Sequence, residues 1–163
     1  MPALEILTLM VVALAAAPTI AHVLEFPGKR RLNRDDYFVV QRIYYPGFTL
    51  IGATEPVAVI ITGLLAALTP VGTRIFWLIL CAFVALLAMH VIFWVFTQPV
   101  NKYWLEGQPV SAAARHFFRT GSASSAPASD WTTLRDQWEY SHLARAALAT
   151  LALFLLILAV VPR

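Results

Sequence analysis

Two stretches of the sequence pair an imidazole with a carboxylate at one spacing: His22-Val23-Leu24-Glu25 and Glu139-Tyr140-Ser141-His142. Helical residues three apart project from the same face. Each pair can therefore shuttle a proton, with the carboxylate supporting the base, or ligate a metal. Glu55, His90, Asn101 and Arg145 add a carboxylate, a third imidazole, an amide and a guanidinium in or beside apolar stretches. An ionisable group in hydrocarbon costs several kcal/mol unless partnered, which makes such groups functional candidates. The catalytic candidates are His22, Glu25, Glu55, His90, His142 and Arg145. Asn101 and Trp138 are supporting polar groups.

Metal chemistry is open on the same residues. Glu-x-x-His pairs with further carboxylates build di-metal sites in four-helix bundles. Here the first pair is reversed and Glu55 is the one extra carboxylate, so a single ion held by two or three histidines and a glutamate fits equally. The ligand candidates are His22, Glu55, His90, Glu139 and His142. A purely structural reading also stands: the histidines tie helices together by hydrogen bonds, Glu55 pairs with Arg145, and Glu25 pairs with Arg42. There is no Gly-rich phosphate loop, nucleophile elbow or CxxC motif.

The elements that must carry these groups are membrane spans. Of 163 residues, 60% are hydrophobic and 13% charged, with mean hydropathy +0.71. Soluble domains run at about 45–50% apolar and about 25% charged. Four segments, at about 4–26, 47–68, 75–97 and 140–161, are long and apolar enough to cross a bilayer core of about 30 Å. These define an all-α, integral membrane four-helix bundle forming one domain over 1–163. The Thr69–Thr73 turn makes spans two and three antiparallel neighbours. Ala15, Ala16 and Ala17 resemble a signal cleavage region. The stretch before them lacks Lys and Arg, carries Glu5 and is longer than a signal core, so the segment is expected to stay as a span. Cys81 is the sole cysteine, which excludes an intramolecular disulfide.

Charge placement gives orientation. Lys29, Arg30, Arg31, Arg34 and Arg42 follow span one, and Lys102, Arg115, Arg119 and Arg135 follow span three; the other side has Arg74 and Arg163. The positive-inside rule places both basic loops in the cytoplasm and both termini outside, as in a bacterial inner membrane with periplasmic ends. The net charge of +3 serves this topology rather than nucleic-acid binding. All the candidate polar groups then fall in the cytoplasmic half, with Glu55 and His90 roughly 12–14 Å deep at a rise of about 1.5 Å per residue.

The first basic loop predicts a short interfacial helix over Asn33–Tyr45, capped by Asn33, with Asp35 and Asp36 in its first turn. Pro46-Gly47 ends it. The region 107–130 is expected to be a flexible loop, with a Gly/Ser/Ala/Pro tract at 121–129. Within it, Arg115 to Arg119 would touch headgroups, and His116 is a surface residue. The tryptophans at 77, 94, 104, 131 and 138 fit an interfacial belt. Pro18 and Pro56 can kink their helices, and a kink at Pro56 would open space beside Glu55.

Three stretches resemble motifs of the anthrone-oxygenase-like family of small four-span bacterial membrane proteins of unknown function. They are Ala21-His22-Val23-Leu24-Glu25-Phe26-Pro27-Gly28-Lys29, Gln98-Pro99-Val100-Asn101, and Gln137-Trp138-Glu139-Tyr140-Ser141-His142 with Arg145. The likeness extends over nearly the whole chain, including span number and order. Anthrone oxygenases oxidise polycyclic phenolic substrates with molecular oxygen and are held to need no added cofactor. The matched positions are His22, Glu25, Asn101, Trp138, Glu139, His142 and Arg145; Glu55 and His90 rest on depth alone. The resemblance implies a membrane oxidoreductase or oxygenase acting on a lipophilic quinone- or phenol-like molecule, with His or Glu as base and Arg145 or Asn101 steadying an oxyanion. The cofactor is none or a bound metal. The alternative is a non-catalytic module: a small-molecule carrier, or a subunit that works with copies of itself or a membrane partner.

Overall fold

Large apolar side chains point outward along the long helices, the reverse of a soluble protein. Leu24, Ile60, Phe154 and Met10 are all more than half exposed, whereas the buried core is rich in alanine: Ala15, Ala16, Ala58, Ala82, Ala85, Ala149 and Ala152, filled in by Val12, Leu65, Leu86 and Leu156. Small residues at helix contacts let backbones approach closely, which is how helices associate when lipid is as apolar as their own side chains. Buried Thr8 and Thr19 bond their own helix, to the carbonyls of Leu4 at 2.8 Å and Ala16 at 2.7 Å, and so bring no unmet polar group into this core.

The computed structural model describes residues 2–105, 107, 109–120 and 131–161. The 121–129 tract lies outside the described residues. The element order is α1 (Pro2–Lys29), α2 (Arg34–Arg42), α3 (Gly47–Gly52), α4 (Thr54–Ala67), α5 (Arg74–Ile92), a π turn (Phe93–Thr97), α6 (Gln98–Trp104), α7 (Ala112–Phe118) and α8 (Trp131–Val160). Four rods are long and apolar enough to cross a membrane: α1, α3 with α4, α5 through α6, and α8. Each packs on two others, in the ring α1–α4–α5–α8. At the α4–α5 turn, Gly72 takes φ +86°, a left-handed conformation that only glycine adopts without strain, and Thr73 caps α5 by accepting from the Phe76 N–H at 3.1 Å.

The rods overrun the apolar windows. The first extends past Phe26 through Pro27 to Lys29, the third reaches Trp104, and the fourth begins at Trp131, nine residues before the expected Tyr140. The extra turns are polar and aromatic, and they build one end of the bundle.

Two rods break there. Proline has no N–H and collides with the carbonyl four residues back, so Pro56 cannot continue the ladder to Gly52; α3 ends at Gly52 and α4 begins at Thr54. On the third rod the ladder slips to i→i+5, with the Gln98 N–H on the Phe93 carbonyl, one residue before Pro99. The Gln137 side-chain amide of α8 donates to the Phe96 carbonyl at 3.0 Å, satisfying a carbonyl of that loosened turn. π turns of this kind concentrate at functional sites.

Across this end lies α2. Asn33 caps it, with its side-chain oxygen 3.0 Å from the Asp36 N–H. The expected interfacial helix does not simply rest at the rim: Tyr37 is fully buried and Gln41 nearly so. Tyr37 sits edge-on to Trp104 at 5.3 Å and against Trp131 at 5.7 Å. Trp104 and Trp138 are 3% and 4% exposed, so two of the five tryptophans expected in a belt are instead interior. Beside them α7, capped by Ser111, seats Ala114 and Phe118 against Leu105 and Val110. His116 is exposed.

Candidate functional site

The polar groups form two connected layers. In the deeper one, Glu55 of α4 accepts from Arg145 Nη2 of α8 at 2.5 Å and lies 3.1 Å from His90 Nδ1 of α5. Trp94 Nε1 is 3.0 Å from His90 Nε2. Indole only donates, so His90 Nε2 accepts and the imidazole proton sits on Nδ1, pointed at Glu55. Arg145 also donates from Nη1 to His142 Nδ1 at 3.2 Å. Guanidinium likewise only donates, so a neutral His142 carries its proton on Nε2. That Nε2 has no protein partner among the described residues, and neither does Arg145 Nε.

In the layer nearer α2, the ring of His22 of α1 packs tilted against His142 with ring centres 4.1 Å apart, and edge-on to Trp138 at 4.8 Å and Tyr44 at 4.7 Å. Behind it, Glu25 Oε2 is 3.5 Å from His22 Nδ1 and accepts from the Tyr44 hydroxyl at 2.5 Å. Lys29 Nζ is 3.7 Å from Glu25 and 3.0 Å from Glu139, and Glu139 also accepts from the Tyr37 hydroxyl at 2.9 Å. Burial first, and the Glu139 charge second, push the Tyr37 phenol well above its ordinary value; burial and then the hydrogen bond to Glu25 do the same for Tyr44. Both hydroxyls thus stay donors. At the same level Trp138 Nε1 donates to Asn101 Oδ1 at 2.8 Å, and Asn101 donates to Gln98 at 3.1 Å.

A cavity of about 410 Å³ opens between the two broken rods, a size suited to a small-molecule ligand. Gly52 and Ala53 from one break and Phe93 and Thr97 from the other line it, so the backbone irregularities make the space. His22, Glu55, His90, His142 and Arg145 line it too, as do Asn101 and Trp138. The rest of the wall is largely aromatic, including Tyr44, Phe48 and Trp94. Of the six catalytic candidates, five reach the cavity; Glu25 stands behind His22.

Two expectations are corrected. Glu25 does not pair with Arg42, which is exposed. Lys29, one turn along the same helix, takes that part because α1 continues through Pro27 and turns the ammonium inward. The five metal-ligand candidates are also divided. Glu55 goes with His90, His22 lies beside His142, and Glu139 is engaged by Lys29 and Tyr37. Among the described residues no three His, Cys, Asp or Glu side chains are arranged to hold a metal ion. The physical reason is that two cations already serve the carboxylates: Arg145 stands between Glu55 and His142, and Lys29 between Glu25 and Glu139.

Lys29, Tyr37, Gln41 and Trp104 are participants that the spacing argument passed over. Lys29 lies four residues from Glu25 and seven from His22, on one helical face, and Gln41 falls on the Tyr37–Tyr44 stripe. Lys29 reads from its basic run as an orienting loop charge, and Gln41 as part of an interfacial helix, and neither reading marks an inward-facing side chain. No family model matches the chain, and no curated protein or solved structure matches it.

Proposed function

We propose that this is an integral protein of the bacterial inner membrane, with periplasmic termini, whose cavity binds a lipophilic phenol- or quinone-like molecule and takes a proton from it to begin an oxidation by molecular oxygen. The observation that carries this reading is the convergence of His22, His142 and Arg145 on an aromatic-walled cavity at one end of a bundle with four apolar, membrane-length rods. His22 is the base. Glu25 beside Nδ1 favours the tautomer whose Nε2 lone pair is free, the role a carboxylate plays behind many catalytic imidazoles. His142 Nε2–H and Arg145 Nε–H steady the oxyanion that forms. For an anthrone-like substrate, the ring methylene and one dioxygen give a ring carbonyl and one water. The methylene loses both hydrogens to the water, and each product takes one oxygen atom. Carbon is oxidised and dioxygen is the oxidant, so no other reductant or oxidant is needed. The anion left by deprotonation is the species that oxygen attacks, and the resemblance to the anthrone-oxygenase-like family agrees with it.

A positioned general base contributes about 10²–10⁴-fold. Oxygen uptake by the purified protein supplied with anthrone should therefore fall by about that factor in His22→Gln, and by less in Glu25→Gln, which keeps the base but not its support. Full turnover in both His22→Gln and His142→Gln would remove the catalytic assignment.

A second reading has its own observation. Glu55–Arg145 and Lys29–Glu139 neutralise buried charge between helices without any chemistry, as a non-catalytic carrier or complex subunit would require. A stable protein partner in the purified material, with no ligand-dependent oxygen uptake, favours that reading.

A further inference from the structure

Hydrogen-bond donors without a protein partner are not confined to the His142–Arg145 side of the cavity. Trp104 Nε1 and Gln41 Nε2 are also buried, line the same cavity, and have no partner among the described residues. Both residues are 3% exposed. A buried donor left unmet costs about 1–3 kcal/mol; apart from His22 Nδ1, which has Glu25 at 3.5 Å, four of them around one cavity mark where acceptor atoms belong. Trp104 is unambiguous, since indole can only donate.

The two pairs sit at different heights. Trp138 bonds Asn101 across the site, which fixes α6 against α8. From that level Trp104 lies three residues towards α2, while His142 lies four residues the other way. At about 1.5 Å per residue the backbones of Trp104 and His142 are about 10 Å apart along the bundle. A carbonyl oxygen has two lone pairs, so one oxygen cannot serve all four donors. Two carbonyl bonds of about 1.2 Å across a six-membered ring set its para oxygens about 5 Å apart, so one ring can present an acceptor to each pair.

We infer that Gln41 and Trp104 form a second oxygen subsite beneath α2 for the ring oxygen gained in the oxidation, so that the bound product carries two acceptor oxygens on opposite edges of one ring, as a para-quinone does. This rests on the proposed phenol- or quinone-binding role of the cavity and narrows it. It also gives α2 a task, since Gln41 reaches the cavity from the inward face of that helix.

The test is equilibrium binding of three probes of nearly one shape to the purified full chain: anthraquinone with two oxygens, anthrone with one, and anthracene with none. Anthraquinone does not alkylate the exposed Cys81. Wild type should bind anthraquinone about tenfold or more tighter than anthracene, one hydrogen bond being worth about that factor, with anthrone between. Gln41→Leu and Trp104→Phe should each weaken anthraquinone five- to tenfold and leave anthracene within twofold, which also shows that the variants are folded. Equal affinity of wild type for anthraquinone and anthrone overturns the second subsite while the cavity assignment stands. Unchanged anthraquinone affinity in both variants overturns it as well. Failure of all three probes to bind wild type overturns the cavity's role and this inference together.

Discussion

The sharpest energetic prediction concerns Arg145→Met. Arg145 Nη2 and Glu55 Oε2 are 2.5 Å apart, their side chains 7% and 5% exposed, and 90 residues of chain separate them. Two unit charges at that distance attract by about 6–7 kcal/mol at an effective dielectric constant of about 20, but desolvating both ions consumes much of this. Removing one partner is different, because the desolvation cost of the survivor remains with nothing to offset it. Arg145→Met should destabilise by about 3–5 kcal/mol. Glu55→Gln should cost a similar amount, since it strands the guanidinium and withdraws the anion that His90 faces. The double variant carries neither charge. It should lie within about 1–2 kcal/mol of wild type, giving a coupling of several kcal/mol. Reversible unfolding of the purified protein in mixed micelles by a denaturing detergent, followed by circular dichroism, measures all four corners. A cost below about 1 kcal/mol for Arg145→Met, or additive single effects, would show that the pair is not the buried tie described.

Other outcomes follow from the same geometry. Tyr37 and Tyr44 hold protons that the unfolded chain releases above its ordinary value of 10.0; the stability they confer is complete below about pH 10 and declines as pH rises further. Ultraviolet titration should find these two silent until unfolding, and Tyr37→Phe with Tyr44→Phe should flatten the alkaline loss; a profile unchanged by both replacements would refute the assignment. Cys81, exposed on the outer face of α5 among apolar neighbours, should resist a membrane-impermeant maleimide in intact membranes and react after denaturation. Rapid labelling in sealed membranes would contradict the proposal that this face of α5 meets lipid.

The four rods were legible because hydropathy is a sum over about twenty residues and tolerates local error. The polar end was legible as a depth, since Glu55, His90 and His142 each carry a position along a known helix. Partner choice was not. The pairing of Glu55 with Arg145 could be named as one option, but Glu25 was given Arg42 because both lie near the same rim. The actual neighbour depended on how far α1 runs past Pro27, and a one-turn extension changes which cation faces inward. Lys29 thereby moves from an orienting loop charge to a buried partner of two carboxylates. The burial of Trp104 and Trp138 was hidden for a related reason: a tryptophan near a span end suits either the headgroups or the space beneath a helix laid across that end. Only α2, docked by Tyr37, decides between them.

Whether the polar end is a tie or a tool turns on how its groups are matched. Ties bring opposite charges together. Lys29 with Glu25 and Glu139, and Arg145 with Glu55, meet that description, and each joins different segments or stabilises the turn that does. If tying were the whole task, burial would select against further donors, because each unmet N–H carries its full desolvation cost. Yet Trp104 Nε1, Gln41 Nε2, His142 Nε2 and Arg145 Nε remain without protein partners among the described residues, all four residues line one cavity, and they come from three separate elements. Arg145 belongs to both sets: one edge of its guanidinium is held by Glu55 and His142, while Nε is left over. The ion pair therefore fixes a rigid donor at the cavity wall, and a guanidinium so anchored loses little entropy when it binds an oxygen. On that argument the charge pairs are the frame and the unmatched donors are the site, which is why Gln41→Leu should spare stability where Arg145→Met does not.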